Sequence, residues 1–290
     1  MNSYFEGYAT EGFFETSDHV RLHYIEAGKE NEKTLIALPG WSGTADYLMF
    51  NLKALASEYH VYILEHRGHG ESEVPAKGYR IARLAADARE FFLSLHISKA
   101  HWLGHSMGCS VLWSYFDLFG DSDFEKWVLV DEAPCLMIYP KDTPEEIEVY
   151  GGLNDSILET YNFVRGKGSD QPPFDVPSGI SYENETNQAL YEQYRVPLDH
   201  SRDRELYLAR LIVDHFFNDW RDVIPQITVP TLYISGDVGH ATNEKCCKWI
   251  VDHIPGSKWV RFSAEEYGTH MMMINSPEKF NREVLSFLKD

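Results

Sequence analysis

The segment Gly104-His105-Ser106-Met107-Gly108 constrains the fold of this chain more than any other stretch. A serine with a glycine two residues away on each side fits a sharp strand-to-helix turn. There the serine takes strained dihedrals, and flanking side chains would strike the adjoining strand and helix. Such a turn lifts the hydroxyl above the edge of a sheet, provided that a strand precedes it and a helix follows. Both are legible. Residues 99–104 (KAHWLG) form a short apolar run suited to a buried strand, and residues 109–119 (CSVLWSYFDLF) are apolar at helical spacing.

The same alternation extends along the chain. Residues 13–28 (FFETSDHVRLHYIEAG) read as an antiparallel pair turning near Ser17 and Asp18. Short apolar runs follow: TLIAL at 34, VYIL at 61, AHWLG at 100, WVLV at 127, TLYIS at 231 and KWVRF at 258. Helical patterns lie between them. In residues 80–95, Ile81, Leu84, Ala85, Ala88, Phe91, Phe92 and Leu95 share one face, while Arg83, Asp87, Arg89 and Glu90 are expected to point away. The pattern predicts an α/β fold with a mostly parallel eight-stranded sheet flanked by helices. The rhythm breaks after strand six, over a stretch too long for a plain loop. It is expected to be an inserted helical cap at 135–220, irregular over 166–179, with 1–134 and 221–290 forming the core. No internal repeat is visible.

A formal net charge of -19 argues against nucleic-acid partners and against anionic membrane surfaces, both of which require clustered Lys and Arg. The acidic N-terminal stretch lacks a basic region followed by an apolar run, and no apolar stretch is long enough to span a bilayer. Cys109, Cys135, Cys246 and Cys247 show no metal-ligand spacing and read as reduced thiols. Together these features predict a cytoplasmic protein acting on a small molecule, as a monomer or homodimer.

Six stretches occur in an order that resembles the α/β-hydrolase fold superfamily over nearly the whole chain. They are LPGW at 38, EHRGHGES at 65, GHSMG at 104, VLVDEAP at 128, DWRDVIPQITVPTLYISGD at 219 and YGTHMMMINSPEKFNREVLSFL at 267. A neutral serine needs a base, and the base needs an orienting group. The resemblance makes Ser106 the nucleophile. His270 is the base, since it follows the last strand and precedes a final helix beginning near Pro277. Most of the family takes its acid three residues beyond the glycine corresponding to Gly236, a position that holds Gly239 here. A minority takes it from the end of the preceding strand, where Asp131 stands. Asp131 is therefore the preferred acid and Asp237 the alternative, with Glu132 on the other side of the strand. His66 and His69 belong to the HRGHG loop common to the fold, so no metal site is expected.

The resemblance also supplies oxyanion donors, the backbone amides of Trp41 and Met107. Gly40 is expected to take a positive φ in the tight loop before Trp41. Candidate pocket residues are Trp41, His105, Tyr139, Tyr150, Tyr161, Phe163 and Trp220, with His105 read mainly as packing.

The implied activity is that of a serine hydrolase of the esterase and non-haem haloperoxidase-like kind. It would cleave a small, mostly uncharged ester, thioester or lactone through an acyl-enzyme, without a cofactor. One alternative is a cofactor-free dioxygenase of the quinolone type using His270 as base, although that group carries a histidine where this chain has Gly43. The other is a non-catalytic ligand receptor on the same fold.

Overall fold

The computed structural model describes residues 2–150, 183–197, 199–238 and 242–290. Alternating burial forms the first hairpin: β1 (Ala9–Glu15) pairs antiparallel with β2 (Arg21–Ala27). β3 (Thr34–Leu38) and β5 (Ala100–His105) are buried at every position, as befits strands covered on both faces. With β4 (His60–Leu64), β6 (Phe124–Val130), β7 (Thr231–Gly236) and β8 (Lys258–Phe262), they complete one eight-stranded sheet ordered β1-β2-β4-β3-β5-β6-β7-β8. β2 meets β4 antiparallel, and every later pairing is parallel. The carboxyl ends of β3, β5, β6 and β7 therefore share one edge, the usual place for a site in such sheets.

Helices cover both faces. After α1 (Leu52–Leu55), α2 (Ile81–Ser94) buries Ile81, Leu84, Ala85, Ala88, Phe91 and Phe92, as its spacing predicts. Full burial of each large apolar side chain contributes about 1.5–3 kcal/mol. Asp87 differs from the expectation: it is buried, not outward. Its carboxylate accepts from Arg67 Nε at 2.7 Å, and Arg67 is itself buried and also donates to Asp18. A buried guanidinium needs such carboxylates, so the helix turns Asp87 inward. α3 (Met107–Phe119) begins directly after Ser106 and is almost wholly buried over its first nine residues.

Between β6 and β7 the described residues carry α4 (Pro144–Tyr150), α5 (Glu185–Tyr194) and α6 (Arg202–Phe216). α6 packs Leu211, Ile212, His215 and Phe216 inward. Tyr161, Phe163 and the 166–179 stretch lie outside the described residues. α7 (Glu244–His253), α8 (Met272–Asn275) and α9 (Pro277–Lys289) complete the chain. Among the described residues no helix is long and apolar enough to cross a membrane.

Candidate active site

The turn between β5 and α3 has the predicted geometry. Ser106 sits at φ 52 and ψ -127, a strained conformation for a residue with a side chain. Its amide donates to the Val130 carbonyl at 2.9 Å and its carbonyl accepts from Cys109 N–H at 2.7 Å, so neighbouring backbone holds the strain in place. The glycines are required by close approach. A Cβ on Gly108 would lie 2.4 Å from the Leu38 carbonyl oxygen, and one on Gly104 would lie 2.8 Å from the Gly108 backbone. Ser106 is left partly exposed above the sheet.

His270, from the loop before α8, donates from Nδ1 to Asp131 Oδ2 at 2.7 Å. Asp131 follows β6 at φ 49 and is almost fully buried. Its second oxygen, Oδ1, accepts from the Thr242 hydroxyl at 2.7 Å. Burial alone would raise the Asp131 pKa, but the His270 and Thr242 hydrogen bonds and the histidine charges lower it below the usual value. For His270 burial lowers the pKa, and the Asp131 hydrogen bond and charge, aided by Glu132, raise it by more. The ring is thereby oriented with Nδ1 protonated and Nε2 turned to other use.

His105 lies within this assembly, not on the far side of the turn. Its ring centroid is 4.6 Å from that of His270, and its Nε2 is 2.9 Å from the His270 carbonyl oxygen. Burial first, and the His270 charge second, lower its pKa to about 3, so the neutral ring donates this bond at any working pH. It is stacked on Tyr47 and almost wholly buried, packed against His270.

The β3 loop passes over Ser106. A Cβ on Gly40 would lie 3.0 Å from Ser106 Cβ, a close approach that favours glycine there. The positive φ expected at Gly40 falls instead on Ser42, at 60°. Gly43 N–H donates to the Gly40 carbonyl at 3.0 Å, closing a tight turn through Trp41 and Ser42. The Trp41 indole N–H donates to the Leu208 carbonyl of α6 at 2.9 Å. Met107 N–H belongs to the first turn of α3, whose amides lack intrahelical acceptors.

Other predicted residues lie elsewhere. Asp237 is exposed and paired with Arg261. Trp220 is buried against Trp113, at a ring separation of 6.3 Å, and its backbone N–H donates to the Pro134 carbonyl at 2.8 Å. Tyr139 donates to the Phe217 carbonyl at 2.7 Å, and the Arg221 guanidinium lies over the rings of both Tyr139 and Tyr150. Glu132 is buried with its carboxylate 3.6 Å from His215 Nε2. His66 and His69 are buried and bond to the carbonyls of Pro39 and Arg67, and burial lowers their pKa values to about 3 and about 4. Among the described residues no group of His, Cys, Asp and Glu is arranged to hold a metal, and the four cysteines are buried and free.

Thr242 is the site residue that sequence reasoning missed. It comes from the loop after β7, 111 positions from Asp131, and no local sequence pattern marks it.

Comparison with known proteins agrees with the fold. The family model described as the alpha/beta hydrolase fold matches residues 33–266. RutD of Yersinia enterocolitica, a provisionally assigned carbamate hydrolase, is 27% identical over 273 residues, covering 91% of each chain. The non-heme chloroperoxidase of Streptomyces lividans is 26% identical over 292 residues, covering 96% of this chain and 99% of its own. The solved structure of the esterase EaEST from Exiguobacterium antarcticum matches with a TM-score of 0.72 at 22% identity, over 96% of this chain and 99% of that one.

Proposed function

Because the chain belongs to the α/β-hydrolase fold family, we propose that it is a serine hydrolase cleaving a small, mostly uncharged carboxylic ester, thioester or lactone. The observation that carries this reading is the 2.7 Å His270–Asp131 bond, packed through His105 beside the strained Ser106. His270 Nε2 takes the Ser106 proton as Oγ bonds to the substrate carbonyl carbon, and the carbonyl electron pair moves onto oxygen. The amides of Trp41 and Met107 receive that oxyanion. Collapse expels the alcohol or thiol, which takes the proton from His270. Water, deprotonated by His270, then attacks the acyl-enzyme, and the acid departs as Ser106 regains its proton. Asp131 holds the imidazolium that forms in each half-reaction, and Thr242 holds Asp131.

In this reading residues 135–220 form a cap that sets the pocket, and Trp41 is its wall nearest the chemistry. A net charge of -19 favours uncharged substrates over anionic ones. The test is hydrolysis of p-nitrophenyl esters from acetate to octanoate by the wild type and Ser106→Ala. Turnover with a chain-length optimum that vanishes in the variant supports the reading. Equal rates in both would overturn it and pass the site to base-initiated oxygenation or ligand sensing.

A further inference from the structure

The tight turn over Ser106 is held at both ends by two consecutive residues that follow β4, and neither has a part in the chemistry described so far. His66 Nε2–H donates to the Pro39 carbonyl at 3.2 Å, where the turn begins. Glu65 Oε1 accepts from Ala45 N–H at 2.8 Å, where the turn ends. The Glu65 side chain is buried and firmly fixed. Its Oε2 accepts from Glu71 N–H at 2.7 Å and from His23 Nδ1–H at 2.9 Å, while the Ser72 hydroxyl donates to its main-chain carbonyl at 2.8 Å. Gly70, at φ 47, lets the backbone press against this carboxylate: a Cβ there would lie 2.0 Å from Glu65 Oε2.

The turn needs such restraint. Ser42 holds a positive φ, 60°, without being glycine, a conformation that persists only where its surroundings enforce it. An oxyanion donor gives its full benefit only when it is aimed before the reaction begins.

We propose that Glu65 is a positioning residue which, together with His66, clamps the 39–45 turn and thereby aims the Trp41 amide at the developing oxyanion. This rests on the hydrolase reading above. The carboxylate suits the task because three N–H donors converge on it, and carboxylate oxygens can accept all three. In Glu65→Gln the new NH₂ must face at least one of those donors, so the pocket closes less well while volume is conserved.

The experiment pairs backbone amide hydrogen exchange with kinetics on p-nitrophenyl acetate. In Glu65→Gln, exchange at residues 43–45 should rise at least tenfold while α2 keeps its protection. The kcat should fall about 10- to 100-fold, a partial loss relative to deletion of one oxyanion donor at about 10²–10³. KM should stay within threefold, and affinity for a boronic acid should fall in step with kcat/KM. A general weakening of the fold would raise exchange everywhere and would not separate kcat from KM. If Glu65→Gln fails to fold, Ala45→Pro serves in its place. It deletes the N–H that donates to Glu65, at a first helical position where proline is tolerated, and exchange is then read at residues 43 and 44. Unchanged exchange at 43–45, or unchanged kcat in an active enzyme, overturns the clamp. Wild-type protein that turns over no ester while exchange still rises overturns the hydrolase reading and the oxyanion role, and leaves Glu65 as the brace of the turn.

Discussion

Replacing Asp131 by asparagine tests the proposed triad most directly. The backbone should accept it, since residue 131 lies at φ 49 and asparagine tolerates the left-handed region better than most residues. The carboxamide then has two orientations. With its nitrogen toward His270 it cannot accept the Nδ1 proton, so the ring moves that proton to Nε2 and can no longer deprotonate Ser106. In other triads the wrong tautomer lowers kcat about 10⁴-fold, or about 5.4 kcal/mol at 1.36 kcal/mol per decade. With its oxygen toward His270 the tautomer survives, but the imidazolium loses its counter-charge. A hydrogen bond to a charged group contributes about 1.5–3 kcal/mol, which corresponds to about ten- to a hundredfold. Thr242 favours the first orientation, because its hydroxyl donates 2.7 Å away to Oδ1, and an oxygen kept there leaves nitrogen facing the ring. The expected loss is therefore about 10³- to 10⁴-fold in kcat, read on p-nitrophenyl acetate with thermal unfolding as a control for the fold. Asp237→Asn, on an exposed pair with Arg261, should change kcat less than about twofold. A loss below tenfold for Asp131→Asn, or an equal loss for Asp237→Asn, would refute the assignment of the acid.

Thr242→Val leaves Asp131 Oδ1 without its donor, and kcat should fall about tenfold at unchanged KM; a purely thermal effect would contradict the role given to Thr242. Gly108→Ala drives a Cβ to 2.4 Å from the Leu38 carbonyl and should cost about 1–3 kcal/mol, seen as a Tm several degrees lower. An unchanged Tm would mean that the turn has slack. His270 must be neutral to accept a proton, so kcat/KM should fall as pH drops through its pKa. Since Asp131 raises that pKa despite burial, the acid limb should lie above the ordinary 6.5 and should move to lower pH in Asp131→Asn. A wild-type limb below 6.5 would show that the pairing does not hold in solution.

What the sequence revealed follows from the range over which its signals act. The strands were legible because runs such as TLIAL are buried on both faces and stand out without reference to a partner. The Ser106 turn was legible because both of its glycines answer to contacts within a few residues or with one adjacent strand. Asp131 was reachable only through the missing acid at 239. Thr242 was not reachable, since it meets Asp131 from 111 positions away and a lone threonine carries no signal. Asp87 was misjudged for the same reason. Helical periodicity predicted an outward charge, while its partner Arg67 comes from a distant loop. At Gly40 the residue type was read correctly and its cause was not. Proximity to Ser106 favours the glycine, and the positive φ belongs to Ser42.

The indole bond from Trp41 to Leu208 has a thermodynamic corollary. Directly after the turn, the Asp46 carboxylate accepts from Val196 N–H at 2.7 Å, a second link to the segment after α5. One short piece of backbone thus belongs to two bodies: the core that carries Ser106 and the segment that carries α6. Any molecule whose binding displaces α6 works against the orientation of the Trp41 amide. If the Trp41 amide holds the oxyanion as proposed, reciprocity requires that anion binding there and any shift of α6 oppose or favour each other by the same factor. On the proposed mechanism, substrate selection and rate acceleration would share one coupling free energy, and substitutions in α6 remote from Ser106 would register in kcat as well as in KM.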